Sequence, residues 1–198
     1  MYSTKIDPKF NKNQNPKIGL IALASDYTIE KDFINVIKDK KIDFFVNRIE
    51  CFNPLTSENL IKMSEKITEV TKDILPNEKI DCVVYGCTSG TIAAGYQSIE
   101  KKIKKAKPEA EVTTPSTASI KALKRLNLNK IAIFTPYPKK LNDEVIDFFK
   151  KENFQITSNS YFDIASDIDI GKVDANYLYD VLSKMDLKEA DALFISCT

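Results

Sequence analysis

The chain of 198 residues contains no histidine, and no other gap in its composition excludes as much. Ser-His-Asp and Cys-His catalysis, imidazole acid/base chemistry and histidine-bearing metal sites are all closed to it. Proton transfer near pH 7 falls to Cys, Lys, Tyr or a perturbed carboxylate, and of these the thiol starts closest to neutrality, at about 8.5. Long apolar runs are missing too. No stretch approaches the ~20 residues that span a bilayer, and the polar start MYSTKIDPKFNKNQNP has no signal-peptide core. A cytoplasmic protein without a membrane partner is expected. Neither sign of charge dominates: 29 Lys plus Arg face 28 Asp plus Glu, a net charge of +1, which supplies no global field for nucleic acid or anionic lipid. The basic run KKIKKAK, Lys101 to Lys107, has no aromatic platform beside it and reads as the solvated end of a helix. GxGxxG and GxxxxGK[ST], the usual marks of a nucleotide cofactor, are absent. The segment DIASDIDIG, Asp163 to Gly171, alternates Asp with Ile and lacks the ligand spacing of a calcium loop, so it reads as an Asp-rich turn. Neither a metal nor an organic cofactor is expected.

What is present is a repeat. Four cysteines do not make a secreted disulfide framework, so reduced thiols are expected. Two of them occupy copies of one pattern, Asp-x5-Cys-Thr: Asp81 to Thr88 reads DCVVYGCT and Asp191 to Thr198 reads DALFISCT. The flanks match as well, because Lys17 to Ala22 (KIGLIA) and Lys130 to Thr135 (KIAIFT) lie at nearly the same distance upstream of each cysteine. At 43% hydrophobic content the chain can bury a real core, and the repeat predicts two lobes within it. Short β-rich runs alternate with helical periodicity, the pattern of an α/β protein with mostly parallel sheets and helices on both faces. Strands are predicted near 17–24, 42–50, 81–86, 111–113, 130–135, 154–162 and 191–196. Helices are predicted near 28–40, 56–74, 90–105, 116–126, 138–151 and 175–185. The expected organisation is a tail over 1–16, a first α/β lobe over 17–112 and a second over 113–198, pseudo-symmetric and packed face to face.

Ligands of open parallel sheets bind beyond the carboxyl ends of the strands. Ser25-Asp26, Cys87, Thr135-Pro136-Tyr137 and Cys197 all fall at such ends, so one shared cleft is expected. In YGCTSGT, Tyr85 to Thr91, small residues let the backbone turn sharply into a helix, and the amides and hydroxyls of Thr88, Ser89 and Thr91 face whatever lies above the strand. A carboxylate would be well held there. The plain alternatives are a turn capped by Thr or Ser and two small buried hydrophobes closing core strands. These leave unexplained why both cysteines follow an Asp at one spacing and precede a Thr. Cys87 and Cys197 are therefore candidate catalytic thiols, with Cys51 and Cys82 structural and Cys82 on the opposite strand face from Cys87. Asp81 and Asp191 mark strand entrances, far from the chemistry. Tyr137 could donate to a substrate carboxylate or enolate oxygen, or pack as a loop aromatic between lobes.

At YGCTSGT, together with IGLIALASDYTIE (Ile18 to Glu30), TTPSTA (Thr113 to Ala118), TPY (Thr135 to Tyr137) and the closing FISCT, the sequence resembles the aspartate/glutamate racemase superfamily. The resemblance is to its maleate isomerase and arylmalonate decarboxylase branch, and within that to ectoine-utilisation proteins of the EutA type. It implies a cofactor-independent enzyme with one cysteine from each lobe beside the substrate, as an acid/base pair or with the first as a nucleophile. Carried over, Cys87 and Cys197 are catalytic, Ser25, Asp26, Thr88 and Ser89 line the carboxylate pocket with Thr198, and Tyr137 is a substrate donor. Asp26 departs from the serine-asparagine pair of maleate isomerases, and a negative side chain there disfavours a second substrate carboxylate. The family also continues past its second cysteine, so the second lobe is expected to lack part of its complement here. The resulting expectation is an isomerase, racemase or epimerase of a small amino-acid-derived or dicarboxylic acid, linked to ectoine catabolism. Maleate cis-trans isomerisation, a non-catalytic carboxylate sensor and a thiol redox switch stay open beside it. The partner is a small carboxylate, and a homodimer is compatible with this size.

Overall fold

The computed structural model describes residues 3–10, 15–187 and 189–197. Among these residues, seven strands form two sheets. The first contains β1 (Lys17–Leu23), β2 (Asp43–Ile49), β3 (Cys82–Tyr85) and β4 (Glu111–Thr113) in the order β2-β1-β3-β4. The second contains β5 (Lys130–Thr135), β6 (Gln155–Tyr161) and β7 (Ala192–Ile195) in the order β6-β5-β7. All pairings are parallel. β1 and β5, the two KI-repeat strands, are central, and each is flanked by the strand that follows it and by the strand that leads to a cysteine. The two sheets are thus built alike, apart from β4.

The Asp of each repeat sets the register of its strand. Asp81 N–H donates to the Lys17 carbonyl (2.9 Å) while the Asp81 carboxylate accepts from Lys17 N–H (2.8 Å). In the second half Asp191 N–H donates to the Lys130 carbonyl (2.7 Å), and its carboxylate accepts from the amides of Lys130 (2.9 Å) and Asn129 (3.1 Å). Locked at the entrance, each strand runs to the opposite edge, where Gly86 N–H reaches Ile21 O (2.9 Å) and Ser196 N–H reaches Phe134 O (3.0 Å). One residue later stands the cysteine. At about 3.3 Å per residue, the six steps from Asp to Cys carry the chain about 20 Å across the sheet.

Alternation along the strands decides which face each residue covers. Ile21, Leu23, Val83 and Tyr85 join the large core, whereas Leu20, Ala22 and Val84 face a smaller cluster. That cluster is closed by Ile29 and Phe33 of α1 (Ile29–Ile37). The large core takes up α2 (Ser57–Ser64), α3 (Ile67–Lys72), α4 (Thr88–Ala94) and α5 (Tyr96–Ala106). It continues through α6 (Pro115–Arg125) and α7 (Lys139–Lys151) into β5, where Ile131 and Ile133 meet Leu141, Val145 and Phe149. The halves therefore share one continuous core. Polar links reinforce it: Ser57 Oγ donates to Glu144 Oε1 (2.6 Å), Leu55 N–H to Ala165 O (2.8 Å) and Asp167 N–H to Asn53 Oδ1 (3.0 Å).

The fold corrects the predicted helices in three places. The single helix expected over 56–74 is broken between α2 and α3, where buried Ser64 turns its hydroxyl back onto Ile61 O (2.7 Å), a bond that competes with helix continuation. The helix expected over 90–105 is two, divided at Gly95, whose φ of 79° lies in the left-handed region and ends α4. The Asp-rich turn contains a short helix, α8 (Asp167–Ile170), followed by α9 (Ala175–Leu182). Thr114 caps α6 in a reciprocal capping box with Thr117. Among the described residues, no helix is long and apolar enough to cross a membrane.

Candidate active site

A cleft of about 360 Å³ opens at the carboxyl edges of both sheets, at the small end of ordinary ligand pockets. Cys87, Thr88 and Ser89 enter it from the first half, and Cys197 with Phe194 and Ile195 from the second. Asp26 lines it as well, as do Asp32 of α1 and Asp167 of α8. The structure thus brings Cys87, Cys197, Thr88, Ser89 and Asp26 together. Ser25 and Tyr137 stand behind the wall, and Thr198 lies outside the described residues.

Cys87 is itself the N-cap of α4. Its Sγ accepts from Gly90 N–H (3.2 Å) and lies 3.9 Å from Ser89 Oγ, while its carbonyl accepts from Thr91 N–H (3.1 Å) and Thr91 Oγ1 (2.6 Å). The turn depends on glycine at two places. A Cβ on Gly86 would lie 2.5 Å from Ile29 Cδ1, and one on Gly90 would lie 2.7 Å from Tyr85 Oη and 2.8 Å from Cys87 Sγ. The Gly90 amide and the Ser89 hydroxyl favour a thiolate, as expected of a helix start. Burial outweighs them: at 5% exposure, Cys87 is pushed up to about 12.

Cys197 is held differently. Its backbone adopts φ 54°, in the left-handed region that a side chain rarely occupies. The residue as a whole is exposed, yet protein atoms crowd the thiol on the cleft side. That crowding, then the negative charge of Asp167 and then Cys87 push its ionisation upward. Tyr137, 1% exposed, shares a hydrogen bond with Ser196 Oγ (2.9 Å). Burial, followed by the neighbouring Cys197 and Cys87, keeps its phenol protonated well above the usual range. Tyr137 is therefore a neutral phenol behind the wall, within electrostatic reach of both thiols.

Asp26 is partly committed to the backbone, its Oδ1 accepting from the amides of Thr28 (2.7 Å) and Ile29 (2.9 Å) at the start of α1. Ser25 Oγ donates to Asp167 Oδ2. Asp167, 7% exposed, is raised above the ordinary carboxylate range, first by burial and also by Asp26, against the opposing Ser25 bond. No Lys or Arg lines the cleft among the described residues, and no group of acidic and thiol side chains there could hold a metal ion. Chemically, the cleft offers two thiols of suppressed acidity, hydroxyl and amide donors and buried negative charge, with a neutral phenol behind its wall.

The sequence model of the arylmalonate decarboxylase family matches residues 65–198, more than half of the chain. The chain belongs to that family. Its cysteine-bearing strands and both halves of the cleft lie at least partly inside the match. Among curated relatives, the maleate isomerase of Geobacillus stearothermophilus is 23% identical over 194 residues, covering 91% of this chain and 76% of its own length. Among solved structures, the maleate isomerase Iso of Pseudomonas putida S16 superposes with a TM-score of 0.83 at 19% identity, over 93% of this chain and 79% of that one. A mutant of the Nocardia farcinica maleate cis-trans isomerase carrying a covalently bound succinylcysteine intermediate superposes at 0.81 with 19% identity, over 91% and 77%. The α/β architecture of two parallel sheets flanked by helices is thus that of the maleate isomerase and arylmalonate decarboxylase structures.

Three residues near the thiols were not anticipated as site residues. Asp167 was hidden in the Asp-rich segment, although its place between Ser166 and Ile168 in an alternating run allowed it to be the buried member. Cys51, expected to be structural, is half-buried beside Asp167 and Ser25 and interacts electrostatically with Cys87. Burial first, then Asp167, push it up to about 11. Tyr85 is the third. Cys82 faces the small cluster on the other side of β3, as its odd spacing from Cys87 requires.

Proposed function

We propose that the protein is a cofactor-independent two-cysteine isomerase, a racemase or epimerase, acting on the carbon next to the carboxylate of a small amino-acid-derived acid. The observation that carries this reading is that Cys87 and Cys197, delivered by equivalent strands of the two halves, line one cleft. One thiolate removes the proton from the α-carbon, the C–H electron pair moves into the carboxylate as an enediolate, and the opposite thiol returns a proton to the other face. Donors on Thr88 and Ser89, which line the cleft, stabilise the charge as it reaches the oxygens, with the Tyr137–Ser196 pair behind Cys197.

The charge of the cleft supports an amino-acid-derived substrate over a dicarboxylate. Asp26, Asp32 and Asp167 line it without a cationic side chain among the described residues, so a second substrate carboxylate meets repulsion and an ammonium group meets a counter-ion. An ammonium beside Asp167 would also cancel the field that opposes ionisation of Cys197 and Cys87. Substrate binding would then help generate the base. A role in ectoine catabolism, as in the EutA type, fits this chemistry. Maleate cis-trans isomerisation, with Cys87 adding to the alkene, is the second reading, and the names of the relatives favour it.

Incubation in deuterium oxide with ectoine-derived amino acids, aspartate analogues and maleate separates these readings. The expected outcome is α-deuteration with inversion of an amino acid, lowered about 10³-fold or more by Cys87→Ser and by Cys197→Ser. Turnover of maleate alone would replace the first reading with the second. Binding without exchange would make the cleft a sensor.

A further inference from the structure

Tyr85 carries a feature that neither the fold nor the proposed chemistry uses. It ends β3, its ring is fully buried in the large core, and its hydroxyl has no hydrogen-bond partner. An orphaned buried hydroxyl costs stability that phenylalanine would not. This one is not stranded in hydrocarbon. It borders the same small space above Gly90 as Cys87 Sγ, the two atoms lying 2.7 and 2.8 Å from where a Gly90 Cβ would stand, with Met63 Cε at 3.2 Å. The missing side chain at Gly90 keeps phenol and thiol facing each other.

We propose that Tyr85 is a positioning residue for Cys87, its phenol serving as the reserve hydrogen-bond donor that the sulfur takes up on becoming a thiolate. In the thiol form, Cys87 already accepts from Gly90 N–H and adjoins Ser89, and Tyr85 stays unbonded. Once the sulfur is anionic it accepts more and stronger hydrogen bonds, and a small side-chain movement that closes the phenol on the sulfur supplies one without movement of the backbone. The phenol remains a donor throughout, because burial and then Cys87 itself hold its ionisation well above the ordinary range. The hydroxyl would thus act where charge appears rather than where it rests.

The inference deepens the reading of Cys87 above, but its test involves no substrate, so a wrong substrate class leaves it standing. In the full chain, alkylation by iodoacetamide is followed between pH 7 and 9 by peptide mass spectrometry, with Cys82 as an internal control, for wild type and Tyr85→Phe. Cys87 is expected to react about threefold more slowly in the variant at every pH. Loss of the donor raises the thiol's pKa by about one unit, removing about tenfold of thiolate, and the more basic sulfur regains about threefold in nucleophilicity. Cys82 is expected to be unchanged. The urea midpoint of Tyr85→Phe is expected to equal or exceed that of wild type, since no native hydrogen bond is lost. An unchanged or faster Cys87 rate with Cys82 unchanged overturns the proposal, and so does a lower urea midpoint, which would mean that the hydroxyl has a structural partner in the resting protein.

Discussion

The two halves deliver their cysteines by the same device and then treat them differently. Asp81 and Asp191 each lock a strand against the central KI strand, so Cys87 and Cys197 emerge at equivalent edges. Beyond that edge, Cys87 is buried as the cap of α4, with an amide donor built into the turn. Cys197 instead sits on a left-handed backbone, exposed as a residue, with its support coming from the Tyr137–Ser196 pair behind it. One thiol is held by its own turn and the other by the surrounding tertiary structure. A symmetric scaffold can therefore present a pair of like groups in unlike environments, which is what chemistry with two distinct proton positions requires.

The strongest challenge to this comparison is Gly90→Ala. The added Cβ meets Tyr85 Oη and Cys87 Sγ below 3 Å, so the variant is expected to lose about 1–3 kcal/mol through overpacking, against a gain of about 1 kcal/mol in helix propensity. A drop of several degrees in Tm would show that the first cysteine depends on a tightly packed turn. An unchanged Tm would remove that distinction between the halves.

Asp167→Asn tests what the two thiols have in common. Its carboxyl is raised in the folded state by burial, so the folded protein binds this proton more tightly than the unfolded chain. That proton's contribution is favourable at low pH and fades as pH rises from the unfolded carboxylate value, about 3.9, through the raised folded value. Once ionised, the buried carboxylate opposes folding. The variant is expected to gain a few degrees in Tm at pH 7, with the advantage vanishing on acidification, and to alkylate faster at both Cys87 and Cys197. Acceleration at one thiol alone would mean that Asp167 belongs to one half.

The smallest expected effect lies at the strand entrances. Asp191 accepts two backbone amides through one oxygen where Asp81 accepts one, so Asp191→Asn is expected to lower the urea midpoint slightly more than Asp81→Asn. The amides of Lys130 and Asn129 hold the Asp191 carboxyl below its usual range. Its contribution is therefore present above the unfolded value and lost as pH falls through the lowered folded one, and the Asn variant should show a shallower loss of stability on acidification.

Much of this was readable along the chain. All seven strands were legible, because alternation and apolar runs are local signals, and β4 and β5 fall on the predicted residues. Helix breaks were not: Ser64 turns its hydroxyl onto Ile61 O in its own helix while Lys102, 38 residues away, donates to it. The cysteine pair was legible through its repeat. Asp167 was not, since its partner Ser25 is 142 residues away, and nothing local separates it from Asp163 or Asp169. Cys51 and Tyr85 escaped for the same reason, their neighbours being set by packing.

By itself, the sequence determined the strand-delivered thiols, the exclusion of histidine chemistry and the α/β class, because residue type and period are properties of short segments. Only the tertiary structure decided that three carboxylates share the cleft, that the surroundings of both thiols suppress their ionisation, and that a phenol lies unbonded near one of them. Ionisation and hydrogen-bond satisfaction depend on what is near in space and on how much water is excluded, and neither is written at any one position of the chain.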